Sequence, residues 1–164
     1  MKIDIRQSVD AEPAGVLAAY GSPGFYTGRP TRDDIAVVEI VSHDDSGHPV
    51  RMDVRFTFKG NVSPAVRAVI DSSKMSWVTR MEIHPEAGKI DWKVVPDHYP
   101  DRLSARGSYV LTSGPQAGST QVAMQGELKV HVPIVGRSVE RVIVSGLRKY
   151  FEDEVASIPD FDGH

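Results

Sequence analysis

Apolar and polar residues alternate in seven separate runs along the chain. The clearest run is VRMDVRFTFKG, residues 50–60, in which every second residue is Val, Met or Phe. This period of two is typical of a β-strand with one buried and one solvated face. Seven strands are therefore predicted, at residues 2–9, 33–45, 50–60, 75–84, 89–96, 103–112 and 120–133.

Helical patterns separate the first two strands and end the chain. Asp10, Pro13 and Gly21 suit the cap, the first turn and the end of a short helix. The cluster SPGFYTG that follows indicates a second, very short helix or a set of turns. Beyond Gly136 the apolar residues recur every three or four positions, which predicts a helix over residues 138–157.

The order of these elements predicts an α+β fold. A strongly curved antiparallel sheet of seven strands must cover its concave face, and only the last helix, about 30 Å long, can do so. Pro133 is expected to end the last strand and Gly136 to let the chain turn back. His131, Arg137 and Glu140 are expected at outer or terminal positions. We predict one domain over residues 1–158, with a frayed tail at 159–164.

Composition narrows the classes of function. The 164 residues include no cysteine, which excludes disulfides and thiolate chemistry and fits a cytoplasmic protein. The net charge of -3 argues against a nucleic-acid partner, which favours a basic surface. No apolar run approaches the roughly 18 residues of a membrane span, and the charged, alternating N-terminus does not resemble a signal peptide.

The segment GELKVHVPIVGRSVERVIVSGLRKYFEDE, residues 126–154, resembles the end of an uncharacterised actinobacterial family. That family lies within the START/Bet v 1-like superfamily, also called polyketide cyclase/dehydrase-like or SRPBCC. The order of predicted elements resembles the helix-grip fold of this superfamily over nearly the whole chain. The resemblance implies a hydrophobic cavity between the sheet and the last helix, without implying a reaction.

The inward faces of the strands and the stripe of the last helix supply the expected cavity wall. Met and aromatic side chains make an adaptable apolar lining. A fully packed core is the alternative, although Gly107 and Gly126 leave space on the same face. Gly126 is also expected to mark a bulge or bend. The candidates are Met52, Val54, Phe56, Phe58, Met75, Trp77, Thr79, Met81, Trp92, Tyr109, Met124, Leu128, Val139, Val142, Ile143, Gly146, Leu147 and Tyr150.

The sequence offers few candidates for catalytic residues. Glu39 is a weak catalytic candidate, because an inward, desolvated carboxylate has a raised pKa and can act as an acid or base. Ala36, Val38 and Ile40 are equally plausible as the inward residues, and that register would place Glu39 in solvent.

No other segment carries a recognisable motif. The six histidines form no metal-binding pattern, and neither a hydrolase elbow nor a phosphate-binding loop is present. We therefore predict no metal and no cofactor. Phe25 and Tyr26, in the Gly-rich cluster, are expected to form part of a lid over the cavity.

Three functions follow from these observations. The first is non-catalytic binding of a small hydrophobic or amphipathic, lipid-like ligand. The second is a cyclase or dehydratase that uses an inward acid or base, which depends on the register around Glu39. The third is a protein-interaction module with a filled core, for which no protein partner is indicated.

Overall fold

The computed structural model describes residues 1–29, 34–68 and 70–162. The seven strands, the two short helices after the first strand and the terminal helix follow one another in the predicted order. A further short helix lies between the third and fourth strands, and 3-10 helices lie at Ser72–Lys74 and Ile158–Asp160. The strands are β1 (Lys2–Val9), β2 (Ile35–Asp44), β3 (Val50–Phe58), β4 (Ser76–His84), β5 (Lys89–Pro96), β6 (Leu103–Ser113) and β7 (Thr120–Val130). The helices are α1 (Pro13–Tyr20), α2 (Pro23–Thr27), α3 (Pro64–Arg67) and α4 (Gly136–Ala156).

The strands form one antiparallel sheet in the order β1-β7-β6-β5-β4-β3-β2. Each of the five strands from β2 to β6 pairs with the next strand in sequence, while β1 pairs with β7 at the other end of the sheet. The predicted α+β architecture, a curved sheet closed by a long terminal helix with two short helices after the first strand, is confirmed. Among the described residues, no helix has the length and apolar character needed to cross a membrane.

The connection between β7 and α4 differs in detail from the prediction. β7 ends at Val130 rather than at Pro133, and α4 begins at Gly136, two residues early. The left-handed backbone conformation in this turn belongs to the exposed Ile134, with φ of 73°, rather than to a glycine. Gly136 is required for another reason, since a Cβ there would lie 2.8 Å from the Val130 carbonyl oxygen. Glu140, expected at the surface, is buried and accepts a hydrogen bond of 3.2 Å from the Val130 amide, which ties α4 to β7.

The concave face of the sheet has two differently filled halves. In the half that we call the packed half, α1 and α2 lie against the sheet around Val50 and Ile83. The Tyr26 hydroxyl there donates a 2.7 Å hydrogen bond to the Tyr20 carbonyl and lies 3.6 Å from the Met81 sulfur. The other half, next to the β5–β6 connection, faces the first part of α4, from which Val139, Ile143 and Leu147 line an unfilled space. This division positions the site described below.

The end of the chain is more ordered than the predicted tail. Ile158 is buried, and the segment Ile158–Asp160 forms a 3-10 turn. The Phe161 ring packs edge-on against Phe25 with 5.5 Å between ring centroids. The prediction of a frayed tail from residue 159 is therefore wrong for the segment up to Phe161.

Candidate functional site: a cavity beneath the first half of the terminal helix

A cavity of about 130 Å³ lies between the sheet and the first half of α4. The core is therefore not completely filled, in contrast to the packed-core alternative. The cavity occupies the half of the sheet nearest the β5–β6 connection and reaches inward along β6 from Leu103 to Tyr109. Leu103 and Tyr109 are six positions apart, roughly 20 Å along an extended strand, so residues along most of β6 contribute to the wall.

Most of the predicted wall lines this cavity. Sheet and helix contribute from opposite sides, as expected from the alternation in the strands and the stripe in the helix. The predicted residues on the wall are Phe58, Met75, Trp77, Thr79, Trp92, Tyr109, Met124, Leu128, Val139, Ile143 and Leu147. Whether each contacts a ligand stays a prediction.

Four predicted wall residues on the strands belong instead to the packed half. Met52, Val54, Phe56 and Met81 do face inward and are at most 6% exposed, but they are covered by other side chains. Phe56, for example, packs edge-on against Tyr150 at 5.6 Å between ring centroids. Alternation identified the correct face of these strands but not the depth at which the cavity ends.

Three helical residues are also corrected. Tyr150 is buried between the Phe56 ring and the Arg29 guanidinium, whose carbon lies 4.7 Å from the ring centroid. Val142 is 44% exposed, because it lies about 100° around the helix from Ile143. Gly146 does not line the space either.

The remaining wall residues were not among the candidates. Ala105, Leu103, Val94 and Val130 continue the inward alternation of their strands and were identifiable from it. The others lie near strand ends or in connections whose course the alternation does not predict. They are Ile35, Ile70, Lys74, Ser76, Pro96, His98, Tyr99 and Arg102.

Two connections form the mouth of the cavity: the one between β3 and β4, which contains the Ser72–Lys74 turn, and the one between β5 and β6. Tyr99, in the second connection, is bonded to the first. Its backbone has a φ of 54°, a conformation uncommon outside glycine. The Tyr99 hydroxyl accepts a hydrogen bond of 3.3 Å from the Asp71 amide, and the Arg102 guanidinium carbon lies 5.0 Å from the centroid of the Tyr99 ring. The Ser72–Lys74 turn and the β5–β6 connection are thereby held together.

Asp97 fixes the start of the β5–β6 connection to the sheet. Its carboxylate accepts hydrogen bonds from Arg55 at 3.0 Å and from the Ser76 hydroxyl at 2.7 Å. Burial alone would raise the pKa of Asp97, but these two donors lower it below its ordinary value. The carboxylate therefore remains a charged anchor for this edge of the mouth.

Glu39 lies outside the cavity and is not positioned for catalysis. The pairing of β2 with β3 shifts register between Val37 and Glu39, which turns the Glu39 side chain to the outer face beside Arg55. Glu39 is exposed and forms an ion pair with Arg55. Ile40 is half-buried and pairs with the inward Val54, as the alternative register requires, whereas Ala36 pairs with Thr57 on the other side of the strand although it is buried. The Val38 side chain is outside the described part of the chain.

A buried ion pair adjoins the inner end of the cavity. Arg29 Nη1 lies 2.9 Å from Glu154 Oε2, and the side chains are 16% and 3% exposed, respectively. Burial alone would lower the pKa of Arg29, but the Glu154 carboxylate outweighs it and raises that pKa. Neither residue was singled out in the sequence, because no local pattern relates positions so far apart.

Four tyrosines surround this ion pair. The pKa of each phenol is raised well above its ordinary value. Burial is the larger cause, and the negative charge of Glu154 is the second. Their hydroxyls therefore stay protonated at neutral pH and can donate hydrogen bonds. The four are Tyr20, Tyr26, Tyr109 and Tyr150, of which only Tyr109 lines the cavity.

Phe25 and Tyr26 are not a lid. Both are at most 2% exposed, and neither lines the cavity. Phe25 packs edge-on against the Tyr20 and Tyr26 rings at 5.5 Å in each case. The Gly-rich cluster therefore contributes aromatic rings to the packed half rather than a cover for the cavity.

The space left by the two glycines on the inner face is filled by Trp92. Gly107 and Gly126 are cross-strand partners, and a Cβ on either would lie within 3 Å of Trp92 Cζ2. The register of Gly126 is continuous with both neighbouring strands, which excludes the bulge, and the bend stays a prediction. Trp92 itself lines the cavity, and its buried indole N–H has no hydrogen-bond partner among the described residues.

Residues 4–160 match the sequence model of a family described as "Protein of unknown function (DUF2505)". None of the curated proteins matches the sequence. Solved structures share the fold at low identity. Norcoclaurine synthase from Thalictrum flavum has a TM-score of 0.65 and 16% identity, with coverage of 99% of this chain and 87% of that chain.

Two bacterial structures are similar to the same extent. The Zhui aromatase/cyclase from a Streptomyces species has a TM-score of 0.63 and 13% identity, covering 94% of this chain and 90% of its own. A Thermus thermophilus protein has a TM-score of 0.66 and 14% identity, with coverage of 98% of this chain and 95% of that chain. At these identities the likeness establishes the helix-grip fold alone.

Proposed function

The chain belongs to the DUF2505 family, and because that description assigns no activity, we propose from the cavity that it binds a small apolar or amphipathic molecule. The supporting observation is the unfilled space of about 130 Å³ walled by aromatic, Met and aliphatic side chains. Well-packed cores rarely leave so large a void. Solved structures with the same fold include an aromatase/cyclase and norcoclaurine synthase, the latter also in complex with dopamine and hydroxybenzaldehyde.

The volume limits the size of the ligand. An engineered apolar cavity of about 150 Å³ in another protein binds benzene. The buried part of the ligand is accordingly one aromatic ring or a short alkyl chain, smaller than a sterol or a long fatty-acid tail. A lipid-like ligand of this class is therefore short or only partly inserted.

Two polar groups on the wall can orient such a ligand. Tyr109 carries a hydroxyl that stays protonated, and Trp92 carries an indole N–H without a partner in the described structure. Both groups donate hydrogen bonds, so a ligand with an acceptor, such as a carbonyl or hydroxyl oxygen, suits the inner end. An unpaired buried donor is costly, and a bound acceptor would relieve that cost.

Binding without catalysis is the simpler proposal. The cyclase or dehydratase alternative depends on Glu39 as its acid or base, and Glu39 points to solvent. His98 lines the wall, but it lies exposed at the mouth rather than inside the apolar space. Within the described residues no Asp or Glu lines the cavity. A cytoplasmic location, an actinobacterial source and the lack of a nucleic-acid partner stay predictions from the sequence.

Fluorescence titration tests the proposal directly, because both tryptophans of the chain, Trp77 and Trp92, line the cavity. We expect 3-phenyl-1-propanol to change tryptophan emission saturably. Burial of one ring, at about 25 cal/mol per Å² over roughly 200 Å², gives a Kd of about 0.1–1 mM. A linear, unsaturable response over this range would contradict the proposal.

A filled cavity provides the matched control. Ala105 lines the space and is buried, so Ala105→Leu places three additional carbons inside it. This variant should fold and lose binding. Ala156→Leu adds the same carbons at an exposed position of α4 and should bind like the original protein.

A further inference from the structure

Two hydrogen-bond donors of the cavity wall are neighbours at its inner end. Trp92 on β5 pairs with Gly107, and Tyr109 lies two positions further along β6 on the same inward face. The Trp92 and Tyr109 ring centroids are 6.5 Å apart, with 40° between the ring planes. Both residues line the cavity, so the indole N–H and the phenol hydroxyl belong to one end of it.

Neither donor is used inside the protein. Trp92 is 6% exposed, and its indole N–H has no acceptor among the residues that the structure describes. Tyr109 is 7% exposed, and its hydroxyl makes no hydrogen bond to another described residue. Buried polar groups nearly always have a partner, because an unpaired one costs free energy. Two such donors on one wall therefore point to an acceptor that a ligand supplies.

Tyr109 differs in this respect from the three tyrosines beside it. Tyr26 donates a 2.7 Å hydrogen bond to the Tyr20 carbonyl. The Tyr20 and Tyr150 hydroxyls lie beside the Glu154 carboxylate. Of the four phenols, that of Tyr109 is the one on the cavity wall, and it is available to a ligand.

The inner end of the cavity offers donors but few acceptors. Thr79 also lines the cavity, but it is aligned through Val94 with Ala105, which precedes Tyr109 by four residues, about 13 Å along β6. In the described chain the wall holds no Asp or Glu. A ligand hydroxyl that accepted from both donors would leave its own proton unpaired there. A carbonyl oxygen accepts two hydrogen bonds and donates none.

We infer that the buried end of the ligand is a carbonyl group whose oxygen accepts hydrogen bonds from both the Trp92 indole N–H and the Tyr109 hydroxyl. This inference rests on the proposed function and specifies its ligand class as a small ketone, aldehyde or ester. The carbonyl oxygen lies innermost, and the apolar remainder of the molecule extends along β6 toward the mouth. The polar end of the ligand is thus the end farthest from solvent.

Three probes with the same ring and the same number of non-hydrogen atoms test the acceptor. Acetophenone carries a carbonyl group, 1-phenylethanol a hydroxyl group in its place, and isopropylbenzene a methyl group. We expect acetophenone to bind about fivefold or more tightly than either enantiomer of 1-phenylethanol, because the alcohol cannot satisfy both donors without burying an unpaired proton.

The Trp92 indole proton reports one of the two hydrogen bonds without any change to the cavity. In NMR titrations we expect its resonance to move further downfield with acetophenone than with isopropylbenzene. Because the two probes carry the same ring, the difference between them reports the hydrogen bond rather than the ring current. Trp77 is the only other tryptophan of the chain, and its indole proton serves as the internal reference.

The carbonyl carbon of ¹³C-labelled acetophenone reports the ligand side. A carbonyl that accepts hydrogen bonds resonates downfield of the same carbonyl in a hydrocarbon solvent. We expect the bound signal near or downfield of its position in water, and we expect it to move upfield in Tyr109→Phe. Tyr150→Phe removes a phenol of the same cluster that does not line the cavity, and the carbonyl signal should stay in place.

Affinities in the same two variants identify Tyr109 as a residue that determines specificity. Tyr109→Phe should lower the affinity for acetophenone, relative to that for isopropylbenzene in the same variant, about threefold to tenfold. Expressing the affinity as this ratio cancels any change in the shape of the cavity. Tyr150→Phe should leave the ratio unchanged.

The outcomes separate this inference from the proposed function. If acetophenone and isopropylbenzene both bind but the carbonyl carbon stays at its hydrocarbon-solvent position, the carbonyl inference is overturned while the apolar site stands. Equal affinity for acetophenone and 1-phenylethanol, equal movement of the Trp92 indole proton with acetophenone and isopropylbenzene, or an unchanged affinity ratio in Tyr109→Phe has the same consequence. Saturable binding of none of the three probes overturns the proposed function, and the inference with it.

Discussion

The Trp92 indole lies against the backbone of Gly107, its cross-strand partner on β6. A Cβ on Gly107 would come within 2.7 Å of Trp92 Cζ2 and 2.0 Å of the Gln125 carbonyl oxygen. The absence of a side chain at this position therefore sets how deeply Trp92 sits in the cavity wall.

We expect Gly107→Ala to lower the free energy of unfolding by about 1–3 kcal/mol, because backbone and ring must both move. Urea denaturation measures this loss. Gly146→Ala is the matched control, since its Cβ would meet only side-chain atoms at 3.9 Å. Within α4 that substitution should raise stability by about 1 kcal/mol. Equal effects of the two variants would contradict the packing described for Trp92.

The Arg29–Glu154 ion pair should dominate the stability of the packed half. Glu154→Gln leaves the largely buried Arg29 without its counter-charge, which typically costs about 3–5 kcal/mol. Chemical denaturation of the variant measures the loss. Glu152→Gln, at an exposed position of the same helix, should change stability by less than about 0.5 kcal/mol. A loss no larger in Glu154→Gln than in Glu152→Gln would show that the pair is not structurally important.

Alkaline pH should destabilise the fold through the buried tyrosines. Their pKa values are raised in the folded state, so above about pH 10 the unfolded chain releases phenolic protons that the folded chain retains. The unfolded state then binds fewer protons, and the free energy of unfolding falls as pH rises. The slope is about 1.4 kcal/mol per pH unit for each tyrosine that stays protonated. Below that pH their contribution is constant.

Tyr150→Phe provides the control for this pH dependence. The Tyr150 hydroxyl is buried beside the Glu154 carboxylate, so its removal should cost at most about 1–2 kcal/mol at neutral pH. The alkaline slope, measured by urea denaturation at several pH values between about 9 and 11, should decrease by one tyrosine. An unchanged slope would mean that Tyr150 ionises as freely in the folded state as in the unfolded state.

Glu39→Gln should change neither the free energy of unfolding nor ligand binding by much. The Glu39–Arg55 pair lies on the exposed outer face, where such pairs contribute about 0–1 kcal/mol. Binding of 3-phenyl-1-propanol should be unchanged, because Glu39 does not line the cavity. A large loss of binding with normal stability would return Glu39 to the site and revive the acid/base hypothesis.

The sequence predicted the faces of the strands well and the filling of the core poorly. Alternation correctly placed Val54, Phe58 and Met124 inward, because side chains on a strand alternate with a period of two. Depth along the strand has no such signal, so Val54 and Phe58 were assigned to the same wall although only Phe58 lines it. Val54 is covered by other side chains of the core, an arrangement in three dimensions that the strand pattern does not encode.

Irregular pairing and long-range contacts explain the remaining errors. The register shift between Val37 and Glu39 reverses the outward and inward sides of β2, and alternation alone cannot reveal it. The Arg29–Glu154 pair joins positions near opposite ends of the chain, and nothing in either local sequence indicates the other. Tyr99 and Arg102 lie in a connection whose course depends on contacts with the Ser72–Lys74 turn.

Methyl NMR of the protein titrated with 3-phenyl-1-propanol tests the central claim most directly, because it reports where a ligand binds. We predict saturable chemical-shift changes concentrated on the cavity methyl groups of Leu128, Val139, Ile143 and Leu147. The methyl groups of Val16, Val54 and Val155, in the packed part of the core, should change little. Changes centred on those packed residues, or no saturable change at any methyl group, would contradict a ligand site beneath the first half of α4.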